Sequence, residues 1–151
     1  MSKNVLATGL IIGAILGLFP NSITTAQEIY INGKCQQNQQ LEESDRFTVV
    51  YKSDFKTKGQ TYWLYSGKYI DGSSIVCISR PGFKQPKLLN VKQIQSGYID
   101  KIIKDSSNQT AFLVTVRNGN GSYVPITQYR VNLSTPSKPV TPKIRSCSSE
   151  G

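Results

Sequence analysis

Thr110-Ala-Phe-Leu-Val-Thr-Val-Arg117, then Asn118-Gly-Asn-Gly121, then Ser122-Tyr-Val-Pro-Ile-Thr-Gln-Tyr-Arg-Val-Asn-Leu133, is the stretch that decides the fold class of this chain. Phe112, Val114 and Val116 recur at every second position, the period of a strand with one buried face. The Gly-rich tetrapeptide supplies the backbone freedom that a tight reversal needs. The returning segment is expected to carry Tyr123, Thr127, Tyr129, Val131 and Leu133 on one face, so the whole reads as a hairpin. Pro125 has no amide hydrogen to give to a ladder, which predicts an edge position or a bulge.

The same alternation continues upstream. Phe47, Val49 and Tyr51 share one face of 46–53, with Thr48 and Lys52 on the other. Tyr62-Trp-Leu-Tyr65 is a second strand, dense in β-favouring aromatics, and Ser74 to Ser79 is a third. Asp71-Gly72 between them marks a hairpin turn. Arg80-Pro-Gly-Phe83 and Gln85-Pro86 read as a loop, because two prolines and a glycine interrupt a ladder. Leu88, Val91, Ile94, Tyr98 and Ile102 have helical spacings, but Gly97 breaks them. Two short strands divided at Ser96-Gly97 are the favoured reading, with a helix as the alternative. Gln60-Thr-Tyr-Trp-Leu64 and Gln109-Thr-Ala-Phe-Leu113 share a pattern, which reflects common hairpin chemistry rather than a repeat. The expectation is an all-β protein, an antiparallel meander of about seven or eight short strands forming a small barrel or sandwich.

A chain of 151 residues is of single-domain length. Its first segment predicts export. Lys3 precedes an uncharged run from Val5 to Phe19, about the length of a signal-peptide core and short of a membrane span. Thr24, Thr25 and Ala26 offer a cleavage site, so residues 1–26 are expected to be a signal peptide, with retention as an anchor the alternative. No lipidation motif precedes Cys35. Residues 27–134 then form one β-rich domain, and 135–151, with Pro136, Pro139 and Pro142, an extended Pro/Ser/Lys-rich tail unless Cys147 pins it. The protein is thus expected in the periplasm or outside the cell, with no transmembrane span in the mature chain.

Export places Cys35, Cys77 and Cys147 where one disulfide forms and one thiol is left over. Cys77 lies in Ile75-Val-Cys-Ile78, a buried-strand pattern, and a buried cysteine behaves as a small hydrophobe. The favoured pairing is therefore Cys35 with Cys147, closing the two ends of the domain; Cys35 with Cys77 is next.

The chain holds 18 Lys+Arg, 9 Asp+Glu and no histidine, for a formal charge of +9. The missing imidazole excludes Ser-His-Asp and Cys-His nucleophile systems, histidine-ligated zinc and histidine acid-base chemistry. The nine carboxylates sit mostly beside turn or charged residues, as solvated surface. No SxxK motif in a suitable context and no phosphate-cradling Gly loop is present. No catalytic residue, metal site or cofactor is expected, and the protein reads as a non-enzyme.

What remains is a surface. Lys52, Lys56 and Lys58 lie beside Tyr51, Phe55, Tyr62 and Trp63, and Arg80, Lys84, Lys87 and Lys92 flank Phe83, mixing cations with aromatic planes. The candidate binding set is Lys52, Lys56, Lys58, Trp63, Arg80, Lys84 and Lys87. For an exported protein the natural counterpart is an anionic envelope polymer, with nucleic acid ranked behind it. The competing reading has Tyr51 and Trp63 facing the core and the lysines serving solubility.

With Cys77-Ile-Ser-Arg-Pro-Gly-Phe83-Lys-Gln-Pro86 following a Tyr/Trp strand under an N-terminal signal, the chain resembles the short, basic exported proteins of cyanobacteria. That resemblance implies export and a β-rich domain, and brings no activity or site. Ser66-Gly67-Lys68-Tyr69 is also similar to the Ser-Gly-x-x-Tyr turn of the small β-barrel lysozyme inhibitors of bacterial envelopes, one residue short. This implies the alternative function, a domain that binds or inhibits another protein. A positive inhibitor would meet a positive lysozyme, which counts against that particular target.

Overall fold

A computed structural model describes residues 27–147 apart from Ser96 and Asn120; the expected signal peptide lies outside the described residues. The described residues form nine strands: β1 Tyr30–Ile31, β2 Phe47–Thr57, β3 Gln60–Lys68, β4 Ser74–Arg80, β5 Lys84–Leu88, β6 Tyr98–Lys104, β7 Ala111–Arg117, β8 Ile126–Asn132 and β9 Lys143–Cys147. One short helix, α1 Lys92–Gln95, separates β5 from β6. The strands make two antiparallel sheets in sequence order, β1-β2-β3-β4-β5 and β6-β7-β8-β9, one of them a curled half-barrel. The all-β meander expected from the alternating residues is therefore the fold.

Period two explains how one core serves both sheets. Phe55, Leu64, Val76 and Ile78 leave the first sheet on one side; Ile102, Phe112, Val114, Val116 and Val131 leave the second toward them, in one buried cluster. Phe55 and Phe112 meet edge-to-face across the gap, ring centroids 5.8 Å apart. Ile94 of α1 enters the same cluster and is wholly buried, so the helical spacing at Val91 and Ile94 is used for one turn only. Gly97 then turns the chain into β6. A Cβ there would stand 2.4 Å from Val116 Cγ1 and 2.9 Å from the Arg117 carbonyl oxygen, so glycine is required for close approach.

The other face of the first sheet carries a second, smaller core of Ile31, Cys35, Tyr65 and Cys77, with Trp63 and Phe83 packed against it. Here the favoured cysteine pairing is corrected: Cys35 bonds Cys77, with their Cα atoms 5.8 Å apart. Cys77 pairs with Tyr65 in register, so its side chain leaves β4 on the face opposite the main core, where the N-terminal segment crosses. The Asn32 side-chain carbonyl accepts the amides of Lys34 and Gln36, at 2.9 and 3.0 Å, and this turn sets Cys35 at φ 66. The Cys35 carbonyl in turn accepts the Tyr65 hydroxyl at 2.8 Å.

Burial pushes the Tyr65 phenol up to about 12 from an ordinary value near 10. A folded pKa raised above the unfolded one stabilises below pH 10 and loses that contribution as pH climbs through about 12. Spectrophotometric titration is expected to show a late step near pH 12 from Tyr65, with stability declining over the same interval. The late step should be missing in Tyr65→Phe; if it persists there, another phenol is responsible.

Two further expectations are corrected. The segment read as a loop at 80–86 reverses at Pro81-Gly82 and resumes as β5, with Arg80 opposite Lys84 and Ile78 opposite Lys87. Pro86 is tolerated because β5 is an edge strand, where a missing amide hydrogen breaks no ladder on the open side. Pro125 is neither at an edge nor in a bulge: β8, an inner strand, begins one residue later, and the Pro125 carbonyl accepts the Asn118 amide at 3.0 Å. Tyr123 accordingly stands in the connecting loop, 76% exposed, and not on the strand face. The Pro-rich segment after Ser134 is extended, and it folds back to add β9 alongside β8, pairing Gln128 with Arg145 and Ile126 with Cys147. The β-rich unit thus continues beyond Ser134.

Candidate anion-binding cleft

β2 and β3 join through Lys58-Gly59 with φ of 49 and 72, the two positive values of a tight two-residue hairpin turn, and Thr57 pairs directly with Gln60. This places Lys58 at the tip of the hairpin. Two strands further on, Arg80 closes β4 and Lys87 lies opposite Ile78 on β5. The returning chain supplies a facing wall: Thr57 Oγ1 donates to the Ser134 carbonyl at 2.7 Å, and the Lys138 amide donates to the Thr135 carbonyl at 2.9 Å. Between these parts lies a cleft of about 350 Å³.

Lys58, Arg80 and Lys87 line this cleft, and among the described residues no carboxylate does. The remaining lining is mixed: Tyr62, Ile78 and Pro136 give apolar surface, while Ser79, Thr135 and Ser137 are hydroxyl residues. Arg80 is held in place. Its guanidinium lies over the Tyr62 ring, 4.2 Å from the centroid, and its Nη2 donates to Gln60 Oε1. The Tyr62 hydroxyl donates to the same Gln60 oxygen at 3.1 Å, and its ring stacks on Phe55 at 5.5 Å. A cationic fork with its plane fixed before a ligand arrives loses little entropy on binding.

The seven residues singled out from sequence do not form one site. Lys58, Arg80 and Lys87 converge on the cleft. Lys52 and Trp63 lie together on the other face of the first sheet, Lys52 Nζ 4.2 Å from the indole centroid and 5.9 Å from that of Phe83. Phe83 meets Trp63 edge-on at 5.2 Å and Tyr65 at 5.1 Å, so the indole packs within the protein, with a cation of its own over the ring. Lys56 is exposed on β2, opposite Thr61. Lys84 is exposed across from Arg80 without lining the cleft. Tyr51 packs against the main core, on the opposite side of the sheet from Trp63.

Two carboxylates have structural work. Asp71 accepts the Ser73 amide at 2.8 Å, and hydrogen bonds from Ser73, its hydroxyl first, hold Asp71 below the usual carboxylate range. Asp105 accepts the Ser107 hydroxyl at 2.7 Å and pairs with Arg130 at 2.6 Å; Ser107 is again the first cause of a lowered pKa. Both anchor turns. Among the described residues no group of three His, Cys, Asp or Glu side chains is arranged to hold a metal ion. Ser66 and Gly67 lie within β3 under the N-terminal segment; a Cβ on Gly67 would stand 2.8 Å from Ile31 Cδ1 and Phe47 Cβ. That stretch packs against the chain's own N-terminal residues.

Fold and site together define a disulfide-stapled, two-sheet antiparallel β protein with a cationic cleft between a hairpin tip and the returning C-terminal chain. No protein-family model, curated protein or solved structure matches it, and the functional reading therefore rests on the geometry of that cleft.

Proposed function

We propose that this is an exported, non-enzymatic binding protein that holds anionic envelope polymer through the cleft and the cations around it. The observation that carries the reading is the convergence of Lys58, Arg80 and Lys87 on one open cleft without a carboxylate among its described lining residues. Uncompensated like charges cost stability, and a bound polyanion offsets that cost. The overall charge of +9 favours the same class of partner, drawing polyanions from a distance before contact. The Cys35–Cys77 bridge supports an oxidising location, and no described helix is long and apolar enough to cross a membrane.

The test is retention on an immobilised anionic polysaccharide as salt is raised. Retention is expected to collapse between about 20 and about 150 mM salt, as the screening length shrinks toward roughly 8 Å. Neutralising Lys58 and Lys87 together should release the protein at lower salt than neutralising Lys101 and Lys143, which do not line the cleft. Retention indifferent to salt, or equal losses from the two pairs, would remove the reading.

A further inference from the structure

The cleft carries more charge than a single carboxylate requires. Lys58, Arg80 and Lys87 bring three cations to about 350 Å³, and the other lining residues are neutral. A sugar acid offers one negative charge per ring. A phosphate monoester offers about 1.5 to 2 at neutral pH, on three acceptor oxygens. The Arg80 fork, fixed on Tyr62 and tied to Gln60, suits bidentate recognition of such an oxyanion, while Lys58 and Lys87 serve as mobile point charges.

The apolar surface narrows the ligand further. Pro136, Ile78 and the edge of the Tyr62 ring, whose faces are taken by Phe55 and Arg80, have nothing to offer bare inorganic phosphate, but they give apolar contact to a ring attached to it. The volume lies near the lower end for small-molecule sites, so the cleft surrounds about one ring with its phosphate at a time. We infer that the cleft binds one pyranose phosphomonoester, free or as the end group of an envelope glycan. This rests on the reading of the protein as a binder of envelope polyanions.

Calorimetric titration of the intact, oxidised protein with glucose 6-phosphate, glucuronate, glucose and inorganic phosphate tests it. Glucose 6-phosphate is expected to bind at least about tenfold more tightly than glucuronate or inorganic phosphate, and glucose not measurably. Its affinity should rise as pH passes through the second phosphate ionisation near about 6, with no such rise for glucuronate. Lys87→Gln should weaken glucose 6-phosphate binding by about tenfold. Arg80→Lys should weaken it by about fivefold or more although the charge is kept, because the fork is lost. Unchanged thermal melting identifies the variants that remain folded, and Lys58→Asn, whose side chain tolerates the positive φ at that turn, is the reserve variant.

A phosphomonoester-ended oligosaccharide and its phosphatase-treated twin distinguish the two sources. Tighter binding of the former than of glucose 6-phosphate assigns the polymer end, and equal binding assigns the free sugar phosphate. Equal affinity for glucose 6-phosphate and glucuronate, or no response to pH, overturns the inference. Salt-sensitive polymer retention would in that case still stand, whereas loss of both would take the broader reading with it.

Discussion

Removing the Cys35–Cys77 bridge is expected to lower the stability of the domain by about 4 kcal/mol on loop-entropy grounds, and its melting temperature by roughly 15 °C. The bridge spans 42 residues of sequence, the length that sets the entropy restricted in the unfolded chain. Besides the bridge, the N-terminal segment is fastened by the wholly buried Ile31 side chain and by a few short-range bonds. β1 contributes two residues to the sheet, Tyr30 opposite Thr48 and Ile31 opposite Phe47, and the Tyr65 hydroxyl reaches the Cys35 carbonyl. Both cysteines are fully buried, so reductant gains access only when this small core opens. Replacing both by alanine is a cleaner test than serine, whose hydroxyls would be left in an apolar pocket. Scanning calorimetry of the oxidised, reduced and double-alanine proteins measures the effect, and peptide mapping checks the pairing. A melting temperature indifferent to reduction, or a map joining Cys35 to Cys147, would discard this account of what holds the N-terminal segment.

The strand faces were legible in the sequence because each is encoded by its own residues. Phe112, Val114 and Val116 announce a buried side wherever the partner sheet lies, and all three are wholly buried. Long-range relations are not encoded in that way. Tyr51, Tyr62 and Trp63 looked like one aromatic patch with their lysines, yet the pairing Asp54 with Trp63 and Phe55 with Tyr62 sends neighbouring aromatics to opposite faces. Applying the alternation rule across that hairpin would have separated them. Cys77 was read as buried, which it is, but a strand inside a sheet has two sides, and the second was covered by a segment without a strong pattern of its own. Lys58-Gly59 is itself a two-residue turn signal, carried by the glycine. The far wall of the cleft, Thr135 to Ser137, was not predictable from local pattern, because it depends on a Pro-rich segment folding back to pair β9 with β8.

Phe55→Ala and Phe112→Ala are each expected to cost about 3 to 5 kcal/mol, since both side chains are almost wholly buried where the two sheets meet. The rings touch edge-to-face, so the double variant should cost less than the sum by roughly 0.5 to 1.5 kcal/mol, the interaction counted twice in the single variants. Denaturant unfolding of the four proteins closes that cycle. Single losses below about 1 kcal/mol would mean that the sheets do not share a close-packed core. The two positions are expected to differ in one respect. Phe55 also stacks on Tyr62, whose ring carries the Arg80 guanidinium, so the main core reaches Arg80 through one aromatic side chain. Phe112 has a ring contact with Phe55 and does not line the cleft. At temperatures where both variants remain folded, Phe55→Ala should therefore weaken anion binding by loosening Tyr62 and Arg80, while Phe112→Ala leaves it nearly unchanged. Equal binding by the two variants would show that Arg80 is held by Gln60 alone.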